Sequence, residues 1–446
     1  MSEVAYVTSM KEPKTFYIKT YGCQMNELDS SVMAGMLSKR GLTECQVAKE
    51  ADILLLNTCS IRDLAERKVM GTVGQYGRSK MREKIIGITG CMANAKKGKL
   101  FDKLPHVDFV LGTNNIHDLN AVLDEVIGGS KSLRADKLYT QEIDYESAKR
   151  INKYKAYVSI IRGCNKHCTY CVVPYTRGPE VSRTPESIVG ECQKLVDDGY
   201  QEITLLGQNV NSYGKDQPEW STLFHDLLYQ LDRIEGLSRV RFLTSHPVDI
   251  TRELMESVRD LPSLCEHVHF PLQAGSARIL RKMHRIYTKT EYMEKVALLK
   301  ELVPGVALGT DMIVGFPTET DEEFQESYDA MREVEYATAF LYTYSPRKGT
   351  PATRWKDDVA EPIKSERHKK LLTLHSEIST KLMREMLGST VEVLVERRNK
   401  DQRYLKGSTR CFRNVIFEGD DSLIGSLQRV KLHSCSYQTS IGVIKK

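Results

Sequence analysis

The chain has 446 residues, 41% of them hydrophobic and 28% charged, with 14 prolines. That is the composition of a folded protein of two or three domains, not of a disordered or collagen-like one. No apolar run approaches the ~18 residues needed to cross a bilayer, and the N-terminal MSEVAYVTSMKEPKTF lacks the basic-then-apolar pattern of a secretory signal, so a cytoplasmic protein with no membrane partner is expected.

From residue 14 to 130, short apolar runs alternate with amphipathic stretches. The runs are Thr15–Thr20, Asp52–Asn57, Lys84–Thr89 and Val107–Leu111, with helical patterns over Leu28–Lys39 and Arg62–Arg78. This alternation predicts an open parallel α/β domain. Residues 131–150 are polar and aperiodic and read as a linker. Between 150 and 382 the alternation returns in longer units. Strands are predicted at Tyr157–Ile161, Glu202–Leu206, Val240–Thr244, His267–Phe270, Ala307–Val314 and Thr338–Tyr344. Helices are predicted at Pro185–Asp198, Ser221–Ile234, Ile250–Leu261, Tyr292–Glu301 and Glu322–Val334. Six such units predict a partial (β/α)6 barrel, with chemistry at the carboxyl ends of its strands. A basic helix, about Lys364–Leu387, reads as a covering element. Period-two strands at 391–396, 413–418 and 427–432 then predict a small β-barrel over 384–446.

Eleven cysteines, an odd number thinly spread, argue against a disulfide framework and for metal. Cys164, Cys168 and Cys171 share one loop, GCNKHCTYC, directly after the first barrel strand. Three thiolates at that spacing suit a [4Fe–4S] cluster with one iron left open for a reactive ligand. Structural zinc would want a fourth protein ligand, and His167 sits awkwardly inside the loop. Cys23, Cys59 and Cys91 each follow a predicted parallel strand of the first block. Strand ends of an open α/β sheet share one edge, so these three either ligate a second cluster or are separate buried cysteines. Cys45, Cys192, Cys265, Cys411 and Cys435 lack such placement and read as packing residues.

Charge marks the other end of the chain. Of the net +5, residues 384–446 contribute twelve Lys/Arg against seven Asp/Glu, and 397–413 hold seven basic residues and one acid. Arg397, Arg398, Lys400, Arg403, Lys406, Arg410 and Arg413, with Tyr404 and Phe412 among them, combine phosphate contacts with stacking surfaces for RNA. A solvated charged face is the competing reading.

The motifs TYGCQMN (20–26), NTCSIR (57–62), TGCMA (89–93), GCNKHCTYCVVPYTRG (163–178) and LLGQNVN (205–211), in this order, resemble the radical S-adenosylmethionine (SAM) methylthiotransferases. Within that family they are most similar to the MiaB group, which modifies N6-(dimethylallyl)adenosine 37 of tRNA to its 2-methylthio derivative. The resemblance runs from about residue 14 to the end, and the C-terminal barrel resembles a TRAM domain. It implies a radical cluster on Cys164, Cys168 and Cys171 and an auxiliary cluster on Cys23, Cys59 and Cys91. It implies two SAM per turnover, one cleaved reductively to a radical that attacks C2, the other methylating the inserted sulfur.

SAM contacts are carried over to Tyr170, Gln208, Asn209, Ser245, Gln273 and Asp311; Asn209 stands where the superfamily often has a carboxylate. Thr318 in GFPTET replaces the glycine common in relatives. The implied partners are the tRNA anticodon loop, whose unpaired bases can be splayed out, a flavodoxin- or ferredoxin-like electron donor, and a sulfur donor, with the protein a monomer. The alternatives are a sister methylthiotransferase acting on threonylcarbamoyl-adenosine in tRNA or on a ribosomal-protein aspartate, and a non-catalytic iron–sulfur protein.

Overall fold

The structure is a computed structural model describing residues 12–60, 63–78, 84–136, 143–150, 152–400, 402–437 and 439–445. Ile61 and Arg62 of NTCSIR, and 137–142 of the expected linker, lie outside the described residues. The chain divides into two compact units: Met1–Ile151 with Tyr157–Lys166 and Cys171–Val181, and Asn152–Ala156 with His167–Tyr170 and Ser182–Lys446.

The first unit is built on a parallel sheet. Its elements are β1 (Thr15–Tyr21), α1 (Gln24–Lys39), β2 (Thr43–Glu44), β3 (Ile53–Thr58), α2 (Asp63–Arg78), β4 (Ile85–Thr89), α3 (Cys91–Lys96), α4 (Lys99–Lys103), β5 (Phe109–Leu111), α5 (Leu119–Ile127) and β6 (Ser132–Arg134). The sheet order is β2-β1-β3-β4-β5-β6. The central strand β3, ILLLNT, is buried at every residue, as expected of a strand covered on both faces. Leu54, Leu56, Ile86, Ile88 and Val110 pack with Val69 and Val73 of α2. Two short strands escape the sequence reading. β2 has only two residues, and β6 lies inside the expected linker, where it pairs in parallel with β5 from Ser132 to Arg134.

From β7 (Lys155–Ser159) the chain continues through β8 (Ile161–Arg162), α6 (Val173–Thr176), β9 (Val181–Ser182), α7 (Pro185–Asp197), β10 (Glu202–Leu206), α8 (Phe224–Asp232), β11 (Arg239–Phe242), α9 (Arg252–Asp260), β12 (His267–His269), α10 (Ala277–Lys282), α11 (Lys289–Leu302), β13 (Ala307–Val314), α12 (Asp321–Val334) and β14 (Thr338–Thr343). In the second unit β10 pairs in parallel with β11, and β12, β13 and β14 pair in parallel in that order. An isolated parallel bridge, Val240 to Leu264, spans the gap between β11 and β12. This is the expected open barrel. Helix starts follow their caps: Thr184, Thr251, Thr288 and Thr320 each accept a backbone N–H from the first turn.

α13 (Glu361–Glu385) buries Leu371, Leu374, Ile378 and Met383, so it is the covering helix expected. Beyond it β15 (Thr390–Arg398), β16 (Leu405–Thr409), β17 (Asn414–Phe417), β18 (Leu427–Cys435) and β19 (Thr439–Ile444) close a barrel of order β15-β16-β17-β19-β18. Its core is Val393, Val395, Leu405, Val415, Phe417, Val430 and Leu432. Of the cysteines expected to pack, Cys192 and Cys265 are buried, whereas Cys45, Cys411 and Cys435 are only partly so; the latter three lie at or beside strand ends.

Candidate metal centre

In the first unit β1, β3 and β4 end side by side, with Tyr21 paired to Thr58 and Asn57 to Thr89. Each strand hands over to a cysteine within two residues: Cys23, Cys59 and Cys91. Polar side chains tie the junction. Asn57, fully buried, donates through Nδ2 to the Asn26 carbonyl at 2.8 Å and to Ser30 Oγ at 2.9 Å, and accepts from Asn26 Nδ2 at 3.1 Å. Asn26 Oδ1 accepts from the Cys23 N–H at 3.3 Å and from its thiol at 3.4 Å. The Cys59 N–H donates to the Tyr21 carbonyl at 2.9 Å. Gly90 precedes Cys91 at φ +88°, and a Cβ there would lie 2.3 Å from Asn57 Oδ1. Only glycine tolerates both conditions. Cys23 caps α1 and Cys91 opens α3.

Two buried arginines face this edge with one carboxylate. Arg177, just after α6, donates through Nη2 to Asp29 Oδ2 at 2.9 Å. Arg162 Nη1 stands 3.5 Å from Asp29 Oδ1 and also donates to the Tyr145 hydroxyl at 2.8 Å. α6 is fastened to the sheet by Thr113, whose Oγ1 donates to the Thr176 carbonyl at 3.0 Å. Burial pushes the Cys23 thiol up, against the opposing pull of Arg177. Burial would also lower Arg177, but Cys91, Asp29 and Cys23 hold it well above its usual value. Arg177 Nη1 is buried without a hydrogen-bond partner.

Among the described residues no three His, Cys, Asp or Glu side chains stand close enough to hold a single metal ion. A multi-iron cluster makes a different demand, since it spreads its thiolates over several irons. Three thiols at one sheet edge beside an unsatisfied guanidinium fit such a cluster.

Of the loop cysteines, Cys164 and Cys171 lie in the first unit. Their Sγ atoms accept the N–H of Lys166 at 3.4 Å and of Val173 at 3.5 Å. Cys168 lies in the second unit, 8% exposed, and accepts from Arg285 Nη1 at 3.3 Å. Hydrogen bonds to sulfur are one of the means by which proteins tune such clusters. Arg285 is itself buried, donating also to the Tyr287 hydroxyl at 3.1 Å.

Tyr170 packs edge-on to Phe316 at 6.5 Å. Past the ends of β10, β11 and β12 come Gln208, half-buried, and the buried Asn209, Ser245 and Gln273. Asn209 Nδ2 donates to Asp249 Oδ2 at 2.9 Å, whereas Asn209 Oδ1 and Ser245 Oγ are buried and unpartnered. Gln273 is held at φ +71° by backbone bonds of 2.9 Å to the Asp311 carbonyl and the Ile313 N–H. Asp311 Oδ1 lies 3.7 Å from His269 Nε2. Unsatisfied buried groups at strand ends fit a polar ligand such as the methionyl and ribose parts of SAM.

The basic residues of the C-terminal barrel do not form one uniform face. Arg397 and Lys400 are exposed. Arg398 pairs with Asp421 at 2.6 Å and Arg403 with Glu418 at 3.4 Å. Arg410 grips Glu266 at 2.9 Å and the Leu264 carbonyl at 2.6 Å. Arg413 is buried, donating to Ser379 Oγ at 2.9 Å. Phe412 lies under Arg241, 4.2 Å from ring centre to guanidinium. Those last three side chains are engaged inside the protein.

Sequence reasoning passed over Arg177, Asp29 and Arg285. Only Arg177 carried a signal, an arginine in the motif VVPYTRG that no assigned role had absorbed.

Two family models match the chain: an uncharacterized protein family, UPF0004, over residues 15–112 and the Radical SAM superfamily over 158–331. A tRNA-2-methylthio-N(6)-dimethylallyladenosine synthase from Protochlamydia amoebophila is 66% identical over 97% of each chain. The chain belongs to the MiaB-type radical SAM methylthiotransferases. Enzymes of the same name from Clostridium botulinum and Thermoanaerobacter pseudethanolicus are 44% and 46% identical, covering 97% and 94% of this chain and 97% and 90% of their own.

The fold also resembles the radical SAM methyltransferase TsrM of Kitasatospora setae, with TM-score 0.55 and 11% identity, over 76% of this chain and 77% of that one. OxsB, a cobalamin-dependent SAM radical enzyme, gives TM-score 0.52 at 10% identity, over 83% of this chain and 56% of its own. Membership of the radical SAM superfamily carries with it SAM and a [4Fe–4S] cluster. Among the described residues no helix is long and apolar enough to cross a membrane.

Proposed function

We propose that this protein converts N6-(dimethylallyl)adenosine at position 37 of tRNA to its 2-methylthio derivative. The observation that carries the reading is the delivery of Cys23, Cys59 and Cys91 to one edge by three adjacent parallel strands, in a chain that also holds the Cys164–Cys168–Cys171 loop. The name borne by relatives 44–66% identical supports the substrate. Bound together, a SAM-ligating cluster supplies radical chemistry at the unactivated C2–H, and a second cluster supplies the sulfur.

The protein's own groups do the rest. Cys164, Cys168 and Cys171 hold the first cluster, and Cys23, Cys59 and Cys91 the second. Asn209, Ser245, Gln273 and Asp311, with Gln208 and Tyr170, orient SAM. The barrel of 384–446 grips the anticodon arm with Arg397, Arg398, Lys400 and Arg403, and an electron donor and a sulfur donor complete the cycle.

The test follows two products in one reaction with isopentenylated tRNA. Cys23→Ala is expected to keep cleaving SAM to 5′-deoxyadenosine and to lose methylthio product at least about a hundredfold, since misplacing a reacting group by ~1 Å costs that much. Cys168→Ala is expected to stop SAM cleavage altogether. Near wild-type methylthiolation by Cys23→Ala would remove the N-terminal cysteines from sulfur delivery.

A further inference from the structure

We infer that Arg177 is the buried counter-charge of the cluster held by Cys23, Cys59 and Cys91, a positioning residue that sets that cluster's reduction potential; the inference rests on the second cluster proposed above.

Charge balance is the first argument. Arg162 and Arg177 are 3% and 4% exposed, and the one carboxylate paired with both is Asp29, 1% exposed. Arg177 therefore shares Asp29 with a second cation, in a place where an incompletely compensated charge is costly. Besides Asp29, the groups that act most strongly on Arg177 electrostatically are Cys91 and Cys23. Neutral thiols cannot balance it. Three thiolates around a doubly positive [4Fe–4S] core form a net anion and do.

Hydrogen bonding is the second argument. Arg177 Nη2 is occupied by Asp29 Oδ2, while Nη1 is fully buried with no acceptor. A guanidinium presents its donors as a rigid fork. Fixing one arm on Asp29 therefore fixes where the other points. A buried donor left unmade costs about 1–3 kcal/mol, a penalty that a cluster sulfur accepting from Nη1 would remove.

The third argument is the fastening of the segment. α6 is tied through Thr113 to the loop after β5, and Asn94 of α3 accepts from the Thr113 N–H at 2.7 Å. Arg177 is thereby anchored to the same helix that Cys91 opens.

Net charge and hydrogen bonds to sulfur both set cluster potentials. Removing the cation makes adding an electron harder, whereas removing the Asp29 anion leaves Arg177 less neutralised and makes it easier. The two variants should move the potential in opposite directions, an outcome that a merely structural role would not give.

The experiment uses the full-length chain with Cys164, Cys168 and Cys171 all changed to Ala, so that only the N-terminal cluster is seen. Iron and sulfide are counted, and the cluster is titrated with dithionite under paramagnetic resonance. Arg177→Gln is expected to lower the reduced-to-oxidised ratio at fixed potential about tenfold (59 mV for one electron), Arg177→Lys to fall between it and the parent, and Asp29→Asn to raise the ratio. Unchanged potentials in cluster-loaded variants, or shifts of one sign in all three, would overturn the inference. Should Arg177→Gln lose its iron, the opposed shifts of Arg177→Lys and Asp29→Asn decide the matter. A parent protein without iron and sulfide would refute the second cluster itself, and the inference with it.

Discussion

His267 sits where the second sheet meets the C-terminal barrel, its ring 4.9 Å from that of Phe412 and its Nε2 3.3 Å from Thr338 Oγ1. Burial, helped by Arg241, His269 and Arg413, pushes its pKa down to about 3. The folded protein therefore resists protonating a group that the unfolded chain protonates near pH 6.5. The stabilisation is complete above that pH and is lost as pH falls towards the folded value. Between pH 7 and 4 this single group should cost on the order of 3 kcal/mol. Urea melts of wild type and His267→Asn across that range should show the variant, whatever its stability at pH 7, with the flatter dependence.

Thr318 shows what a single residue can and cannot announce. Its departure from glycine was legible, and its φ of +73° shows why glycine suits the position. The compensation was not legible. Arg278 Nη1 and Lys282 Nζ donate to its Oγ1 at 3.0 and 2.7 Å from a different segment.

Elements were readable in proportion to their length and period. The β3 strand with its run of four apolar residues, Ile53–Leu56, and the capped barrel helices announced themselves. β16, LKGST, did not, because a glycine inside a short run reads as a turn. Here Gly407 is demanded by closure, since a Cβ would stand 2.2 Å from the Leu394 carbonyl. β19 contains a glycine too, so the barrel's existence was predictable and two of its strands were not.

Its attachment was likewise hidden, being built from charges on β7, β10 and β11. Arg239 Nη1 donates to the Ser408 carbonyl at 2.9 Å, and Arg241 Nη2 to the Thr409 carbonyl at 2.7 Å. Arg241 Nε also stands 3.1 Å from the buried Glu202 carboxylate, which Arg241, Lys155 and Arg239 keep ionised against its burial. Arg241→Met removes one member of this group and strands barrel carbonyls. Breaking a buried pair costs about 3–5 kcal/mol, and with Lys155 and Arg239 remaining the lower end is expected. Arg397→Ala, on the exposed part of β15, should stay within about 0.5 kcal/mol of wild type. Urea midpoints of the two variants measure the contrast, and an Arg241→Met protein as stable as Arg397→Ala would show that the buried charges do not hold the barrel.

At the scale of the whole molecule, the net charge of +5 is concentrated in the last 63 residues, but composition overstated how much of it is available to a polyanion. Arg410 and Arg413 are committed to Glu266 and Ser379, whereas Arg397 and Lys400 are exposed and the carboxylates paired with Arg398 and Arg403, Asp421 and Glu418, are largely exposed. Surface pairs of that kind are worth at most about 1 kcal/mol, so a phosphate can displace Asp421 or Glu418 at little cost. tRNA binding should therefore divide the cluster in two. Replacing Arg397 and Lys400 together by Ala should reduce the slope of log K against log salt by about 0.7–0.9 for each phosphate left without its cation, with the urea midpoint unchanged. Arg413→Ala should do the reverse, lowering the urea midpoint through the loss of a buried hydrogen bond, about 1–3 kcal/mol, and leaving the salt slope of the folded protein as it was. Filter binding of isopentenylated tRNA over a range of salt, paired with denaturation of the same preparations, reads both quantities. A slope that falls for Arg413→Ala and not for the Arg397, Lys400 pair would place the RNA on a different face of the barrel.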